Sequence, residues 1–248
     1  MICDDTLEFD KQVQQEIELI KQDKHLRDKA VGMMCNELEK ARYSYHFKWM
    51  GLPIIQMPGD IIVMQEIVYS VRPDLIIETG VARGGSIVFY ASLLELLGNG
   101  GKVIGIDIDI RAHNRKRLEE HEMYKNIELI EGSSTDETTV VQIEKYIAKH
   151  NSKTVLLVLD SNHSHEHVYK ELVMYAKFVH PPGYVVVFDG YGEMLGEETR
   201  GKPGGKGDNP KTAVDAFLKT TDRFIVDENI EAKIVFSSNY NGFLKCIG

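Results

Sequence analysis

The segment from Pro73 to Ser86 constrains the fold of this chain more than any other. An apolar run ends at the carboxylate Glu78, a turn with three glycines follows, and Ser86 opens an apolar segment with helical spacing. This order predicts a strand, a tight loop and a helix, the unit that binds a nucleotide-like cofactor at the carboxyl end of a parallel strand. The glycines allow the backbone to approach a ligand where a Cβ would clash. Because an acid at the strand end repels phosphate, the loop favours a ligand with a cationic or amino group.

Composition excludes several classes of protein. The 248 residues are enough for one large α/β domain with an appendage. With 38 acidic and 29 basic residues, the chain is negatively charged and has no basic run suited to nucleic acid. No apolar stretch reaches the length of a membrane-spanning helix. Three scattered cysteines (Cys3, Cys35 and Cys246) and the absence of a signal-peptide pattern predict a cytoplasmic protein that binds neither nucleic acid nor membrane.

Apolar runs separated by helical segments follow the glycine loop and predict a mostly parallel sheet, because βαβ crossovers align successive strands. The further strands are expected at these segments: Lys102–Asp107, Ile127–Ile130, Thr154–Leu159 and Tyr184–Phe188. The segments Lys233–Phe236 and Phe243–Ile247 are joined by a polar turn and predict two last strands that form an antiparallel edge. The expected fold class is α/β.

Two other segments surround the predicted sheet. Asp60 follows a Pro-Gly turn and predicts the N-cap of a helix from Ile61 to about Ser70. The segment from Gly190 to Pro210 is rich in glycine and predicts a long mobile loop of the kind that often acts as a lid.

Residues 1–57 are expected to form a helical appendage to a domain of residues 58–248. Between Leu7 and Met50, apolar residues recur at helical spacing and predict about two helices. We interpret this appendage as a packing or oligomerisation element and therefore expect a homo-oligomer. The aromatic side chains from Tyr43 to Trp49 suit either a hydrophobic core or the wall of a substrate pocket.

Five predicted strands end in polar groups, which a parallel sheet would bring to one edge. These strand ends are Glu78, Asp107, the Ser133–Ser134 turn, Asp160 and Asp189. Open α/β sheets bind their ligands at this edge. Asp107 at the second strand end suits the two hydroxyls of a ribose. The first loop lacks the G-x-G-x-x-G phosphate turn of a dehydrogenase, which favours a sulfonium nucleoside over a dinucleotide.

Four motifs connect the chain to a known family. They are Glu-Thr-Gly-Val-Ala-Arg-Gly-Gly-Ser, Gly-Ile-Asp-Ile-Asp-Ile-Arg, Leu-Asp-Ser-Asn-His-Ser-His-Glu-His-Val and Asn-Pro-Lys-Thr-Ala-Val-Asp. From about Trp49 to its C-terminus the chain resembles the cephalosporin hydroxylase family and, more distantly, catechol O-methyltransferase. The resemblance implies a Rossmann-like class I methyltransferase fold with S-adenosylmethionine as cofactor. It also implies methyl transfer to a hydroxyl of a small acceptor, such as a sugar or a secondary metabolite.

The resemblance also implies roles for individual residues. The cofactor contacts would be Glu78, Gly80 and Ser86 near the methionine end, Asp107 at the ribose, Ser133 and Ser134 with Thr135 at the adenine, and Ala82 and Asp160 to complete the set. Asp160 and Asp189 would be ligands of a Mg²⁺ ion that the acceptor hydroxyl also contacts. His163, together with Asp160, would be catalytic, because histidine accepts a proton near neutral pH.

One position departs from the family pattern. The family has Glu-Asp at the end of the fifth strand, whereas this chain has Phe188-Asp189, so one expected metal ligand is absent. Mg²⁺ accepts water at several positions, so two carboxylates can still hold the ion, and we expect a lower affinity. The same departure leaves open a non-catalytic member that only binds the cofactor.

Two further interpretations remain open. Asp160 and Asp189 also suit caps of the helices that follow them. If His163 and His167 share one face of a helix, they form with Asp160 a two-His-one-carboxylate site, as in a metal-dependent hydroxylase. His165 would then point away to the surface.

Overall fold

The computed structural model of the protein describes residues 6–248, so Cys3 and the start of the predicted appendage lie outside the described residues. The strands are β1 Lys48–Trp49, β2 Leu52–Pro53, β3 Leu75–Thr79, β4 Lys102–Asp107, β5 Ile127–Glu131, β6 Val155–Leu159, β7 Tyr184–Val187, β8 Phe224–Val226 and β9 Phe243–Cys246. The α-helices are α1 Thr6–Gln22, α2 Lys24–Met33, α3 Pro58–Val71, α4 Gly85–Leu97, α5 Ala112–Glu119, α6 Glu137–His150, α7 His165–Tyr175, α8 Pro210–Phe217 and α9 Glu228–Ile234.

Strands β3 to β9 form one sheet in the order β5-β4-β3-β6-β7-β9-β8. The neighbours from β5 to β7 are parallel, while β9 is antiparallel to both β7 and β8. The predicted mostly parallel α/β sheet with an antiparallel edge is therefore confirmed. The strand order reverses at β3, which pairs with β4 on one side and β6 on the other. Open α/β sheets bind ligands at such a switch point.

Strand β3 is buried along its whole length because helices cover both faces of the sheet. Its side chains alternate between two cores. Ile76 packs in the layer of α3 and α4 with Phe89, whereas Leu75 and Ile77 pack in the layer of α6, α7 and α8. Each buried aliphatic side chain contributes about 1.5–3 kcal/mol. This packing fixes the carboxyl end of β3, where Glu78 lies.

The C-terminal edge differs from the prediction. The predicted strand Lys233–Phe236 is wrong, because its first two residues end α9 and the other two follow that helix. A helix forms here because the Asp227 side chain accepts a hydrogen bond from the Ile230 amide, and Glu228 lies in the first turn. The strand that pairs with β9 is instead β8, which precedes α9. The predicted last strand is confirmed as β9.

The helix predicted from Ile61 is confirmed as α3, but it begins at Pro58, and the N-cap prediction for Asp60 is wrong. The Asp60 carboxylate accepts hydrogen bonds from Ser237 Oγ at 2.6 Å and from the Ser238 amide at 3.0 Å. Complete burial raises the pKa of Asp60 to about 6. Asp60 therefore connects α3 to the loop before β9.

The predicted N-terminal helices are confirmed as α1 and α2. Helix α1 packs against α9, so the N-terminal segment contacts the C-terminal part of the chain. The aromatic residues between Tyr43 and Trp49 were predicted to line either the core or a pocket, and the structure shows one of each. Trp49 is half-buried and packs against the core, where its Nε1 donates to Ser92 Oγ at 3.0 Å and its ring meets the Phe89 ring edge-on. Tyr45 lines a cavity at the sheet edge.

Across residues 6–248, the α-helices are too short or too polar to cross a membrane.

Candidate active site

The carboxyl ends of β3 and β6 meet at Gly80. Its amide donates to Ile106 O at 2.7 Å, and the Asp160 amide donates to Thr79 O at 2.9 Å, which extends the parallel ladder beyond the strands. Gly80 has a φ of +94°, and a Cβ at this position would lie 2.0 Å from Asp160 O. The position therefore requires glycine.

The loop after β3 is held by the end of β4. The amides of Val81 and Ala82 both donate to Asp107 Oδ2, at 2.9 and 3.2 Å, and Asn114 Nδ2 donates to Ala82 O at 2.7 Å. Asp107 Oδ1 accepts a further bond from the Asp109 amide at 3.1 Å. Each carboxylate oxygen has about two acceptor positions, so Oδ1 retains capacity for a ligand hydroxyl.

Glu78 lies completely buried behind this loop. Its Oε2 accepts a hydrogen bond from Ser86 Oγ at 3.1 Å, while Oε1 has no partner among the described residues. Burial raises the pKa of Glu78 to about 8. A buried carboxyl oxygen without a partner is costly. It is therefore a suitable acceptor for an amino group that reaches the loop.

Two adjoining cavities open at this sheet edge. The first, of about 440 Å³, lies over the ends of β3 to β6 and is lined by Gly80, Ala82, Asp107, Ser133, Ser134, Thr135 and Asp160, among others. The second, of about 200 Å³, is lined by Ser86, His163 and Asp189 and shares Gly80, Ala82 and Asp160 with the first. Every residue predicted for the site lines one of these cavities except Glu78, which lies behind Ser86.

Asp160, His163 and Asp189 meet in the second cavity. One ligand atom of each lies within 4.8 Å of the others, and His163 Nε2 is 3.4 Å from Asp189 Oδ2. Desolvation and the nearby charges of Asp189 and Glu78 raise the pKa of Asp160 well above its ordinary value. A cation would relieve this repulsion. Asp189 has a φ of +60°, a strained conformation that is common at functional sites.

Neither aspartate side chain caps the helix that follows it, although Asp189 stands at the N-cap position of the 3₁₀ turn Gly190–Met194. Helix α7 has Ser164 as its N-cap, and Asp189 makes no side-chain hydrogen bond to the 3₁₀ turn that follows it. Both carboxylates are therefore free to face the cavity.

The two-His-one-carboxylate arrangement also does not form. His163 lies in the loop before α7, while His167 lies within that helix. His167 Nε2 is instead 3.1 Å from Ser134 Oγ and 3.3 Å from Glu171 Oε1. His165 does point elsewhere, but it is only half-exposed, since its Nδ1 lies 2.9 Å from Thr212 Oγ1.

Sequence reasoning missed a third, smaller cavity of about 110 Å³ that reaches Asp189 from the N-terminal segment. Tyr45 and Tyr191 line it, and Tyr191 Oη donates to Glu39 Oε2 at 3.0 Å. The aromatic cluster gave a signal for Tyr45. Nothing in the sequence indicated that residues near 39 approach the segment after Asp189.

The segment predicted as a lid is tied together by hydrogen bonds. It carries 3₁₀ turns at Gly190–Met194 and Glu197–Thr199. Glu193 Oε2 accepts from the Gly207 amide at 2.8 Å and from Asn209 Nδ2 at 2.7 Å. Mobility of this segment stays a prediction.

Comparisons with known proteins identify relatives of this chain. Rhamnosyl O-methyltransferase of Mycobacterium tuberculosis is 29% identical over 199 residues, covering 79% of this chain and 76% of the relative. The Mycobacterium leprae protein of the same name is 28% identical over 197 residues, covering 79% and 81%.

Solved structures show the same fold. An apo structure of CmcI matches with a TM-score of 0.58 and 20% identity, over 82% of this chain and 77% of that chain. The O-methyltransferase TomG from Streptomyces achromogenes matches with a TM-score of 0.54 and 16% identity, over 86% and 90%. The predicted class I methyltransferase fold is therefore confirmed. The model of the family described as Rhamnosyl O-methyltransferase/CmcI matches residues 41–247, which confirms the resemblance inferred from the motifs. The chain belongs to the rhamnosyl O-methyltransferase/CmcI family.

Proposed function

We propose that the protein is an S-adenosylmethionine-dependent O-methyltransferase that acts on a hydroxyl of a small molecule with the help of a divalent cation. The observation that carries this proposal is the Asp160–His163–Asp189 cluster, which lies beside the cavity over the strand ends. The proposed catalytic cluster and the proposed cofactor cavity therefore share lining residues, among them Asp160. Family membership and the names of the mycobacterial relatives support the same activity.

The residues present fit the cofactor. When bound, S-adenosylmethionine supplies an electrophilic methyl group on its sulfonium. The unpartnered Glu78 Oε1 suits the amino group of the methionine end, and Gly80 leaves room for backbone approach. Asp107 would accept hydrogen bonds from the ribose, and Ser133 and Ser134 would border the adenine.

The same residues fit a magnesium ion. Asp160 and Asp189 supply two carboxylates, the ligand type that Mg²⁺ prefers, and a cation there makes a nearby hydroxyl more acidic. His163 would accept the acceptor's proton, and the adjacent Asp189 carboxylate would stabilise the imidazolium. Phe188 is buried and apolar, so water would fill the position of the missing ligand.

The third cavity is our candidate for acceptor binding. It joins Tyr45 and Tyr191 to Asp189, and its wall carries the Glu39 carboxylate. Acidic groups on several sides disfavour an anionic acceptor and favour a neutral hydroxylated ring. Because the mycobacterial relatives are named rhamnosyl O-methyltransferases, a rhamnoside is the first acceptor to test.

The proposal is tested by methyl transfer from labelled S-adenosylmethionine to a methyl rhamnoside, with Mg²⁺ and with EDTA. We expect label in the glycoside only when the cation is present. Activity that is equal in EDTA would contradict the role of Asp160 and Asp189 as metal ligands.

A non-catalytic cofactor-binding protein is the second candidate, because Phe188 replaces one ligand of the family pattern. It predicts tight S-adenosylhomocysteine binding without turnover on any hydroxylated acceptor. The hydroxylase alternative loses its support, since His167 does not join Asp160 and His163.

We further propose a cytoplasmic homo-oligomer built from a helical appendage of residues 1–57 and a cofactor-binding domain of residues 58–248. Within residues 6–248, Cys35 and Cys246 are both free, which supports a reducing compartment. The exposed apolar side chains Leu7, Phe9 and Leu19 on α1 support an oligomer contact. Light scattering on the purified protein tests the oligomer, and a monomeric mass would contradict it.

A further inference from the structure

His167, which the metal cluster leaves out, connects two loops of the site. Its Nε2 lies 3.1 Å from Ser134 Oγ and 3.3 Å from Ser161 Oγ. Ser134 follows β5 and Ser161 follows β6, and these strands are separated in the sheet by β4 and β3. One imidazole therefore spans the cleft between two strand ends that do not touch in the sheet.

The buried side chain of Glu171 contacts the imidazole of His167. It lies one turn further along α7, is completely buried, and its Oε1 is 3.3 Å from His167 Nε2. The same oxygen accepts a hydrogen bond from Ser161 Oγ at 2.8 Å, while Oε2 has no partner among residues 6–248. A buried carboxylate with one unpartnered oxygen is costly, and an apolar side chain would fill this position at lower cost. Packing alone therefore does not account for a glutamate here.

The network faces the larger cavity. His167, Ser134 and Ser161 all line the space of about 440 Å³, together with Asp107 and Thr135. His163 and Asp189 do not line this space and lie instead at the neighbouring cavity. Ser161 borders both cavities, whereas Ser134 and His167 line only the larger of the two, on the side away from His163 and Asp189. The backbone of Ser134 is fixed as well, because its carbonyl accepts from Tyr175 Oη at 2.6 Å.

We propose that His167, oriented by Glu171, is a positioning residue for the adenine nucleoside of the cofactor. His167 contacts the Ser134 hydroxyl and Glu171 accepts from the Ser161 hydroxyl, so the nucleoside meets polar groups that are already oriented. Preorganised groups cost less entropy on binding, which raises affinity. The inference rests on the proposed function, because it takes the larger cavity as the cofactor site. It assigns His167 to cofactor affinity and not to methyl transfer.

Calorimetric titration with S-adenosylhomocysteine and with adenosine tests the inference. We expect His167→Ala to weaken the binding of both ligands by about tenfold, because it leaves buried polar groups without partners. The isosteric Glu171→Gln should weaken both in the same direction, and His167→Gln should recover part of the loss. Mn²⁺ affinity should not change, since the metal cluster is untouched. In turnover, KM for the methyl donor should rise while kcat is retained.

His165→Gln is the matched control. It changes a histidine on the same helix that contacts Thr212 and lines neither of the two larger cavities at the sheet edge, so its affinities should equal those of the wild type. If a His167 or Glu171 variant fails to fold, the double variant Ser134→Ala with Ser161→Ala removes the two hydroxyls directly and should show the same loss.

The outcomes separate the two proposals. If the folded wild-type protein binds neither ligand, the proposed function fails. If the wild type binds and the folded His167, Glu171 or double serine variants bind equally well, the positioning role is overturned while the function stands. A lower thermal stability of the ligand-free variants with unchanged affinity would likewise reduce the network to a structural role and overturn the inference.

Discussion

The imidazole of His163 lies beside the carboxylate of Asp189, with 3.4 Å between Nε2 and Oδ2. The first comes from the loop after β6 and the second from the end of β7, so parallel pairing of these two strands brings them together. In the proposed mechanism the Asp189 carboxylate has two roles. It supplies a metal ligand, and it stabilises the histidine when that histidine takes a proton.

Asp160→Asn and Asp189→Asn should each remove divalent-cation binding. Because these are direct ligands in our proposal, the loss should exceed the roughly 10–100-fold that removal of an outer partner costs. Asparagine tolerates the positive φ of Asp189, so the backbone should persist. Calorimetry with Mn²⁺ measures the effect. Asp215→Asn removes one charge at an ion pair with Lys211 and is the control. Equal Mn²⁺ affinity in all three variants would contradict the metal site.

His163→Gln should lower kcat by about 10²–10⁴ without changing S-adenosylhomocysteine affinity, because a general base acts only on the chemical step. Initial rates with a rhamnoside acceptor and a separate binding titration measure the two quantities. Full activity of this variant would exclude His163 as the base, whereas equal losses in binding and turnover would indicate a role in holding the site together.

Glu78 should make the protein less stable as pH rises. Its pKa of about 8 in the folded state exceeds the ordinary 4.5, so the unfolded chain releases this proton first. The free energy of unfolding therefore falls between about pH 4.5 and pH 8, by an amount on the order of 5 kcal/mol for this group alone. Glu78→Gln keeps the neutral form and removes this loss. Urea unfolding of the wild type and of Glu78→Gln at pH 5 and pH 8 tests this prediction. If the difference between their free energies of unfolding is the same at both pH values, Glu78 is not a buried group that is protonated in the folded state.

The same variant separates the two ends of the cofactor. Glu78→Gln should lower the affinity for S-adenosylhomocysteine, which has an amino group, and leave the affinity for adenosine unchanged. Equal effects on both ligands would remove Glu78 from the methionine end.

Gly80→Ala should destabilise the protein and abolish cofactor binding. The added Cβ would lie 2.0 Å from Asp160 O, in addition to the cost of the positive φ. Gly98→Ala is the matched control, since Gly98 also has a positive φ but has open space around it, and it should cost only about 1–2 kcal/mol. Similar melting temperatures for the two variants would contradict the close approach of β3 and β6.

The sequence was sufficient to predict the sheet edge because strand-end polar residues are local signals. Glu78, Asp107, Asp160 and Asp189 each follow an apolar run, and parallel pairing brings them together whatever the loops do. The positions of the histidines near the start of α7 were harder to predict. Their periodicity suggested that His163 and His167 share a face, but α7 begins only at His165, after the Ser164 cap.

The remaining errors come from long-range contacts and, at one segment, from a local helix cap. Asp60 resembles a helix cap in the sequence. Its carboxylate instead accepts hydrogen bonds from two serines more than 170 positions away. Lys233–Phe236 has an apolar pattern that suits a strand, but the cap at Asp227 favours a helix. The contact of Glu39 with Tyr191 joins segments 152 positions apart, and no spacing rule reveals it.

Binding of S-adenosylmethionine at the edge of the sheet underlies every role proposed above, and titration with its product S-adenosylhomocysteine measures that binding without an acceptor. Calorimetry of the full chain with S-adenosylhomocysteine should show one site per chain, and Asp107→Ala, which removes the proposed ribose acceptor, should weaken it. A folded wild-type protein that shows no binding at millimolar S-adenosylhomocysteine would exclude a cofactor site at this edge.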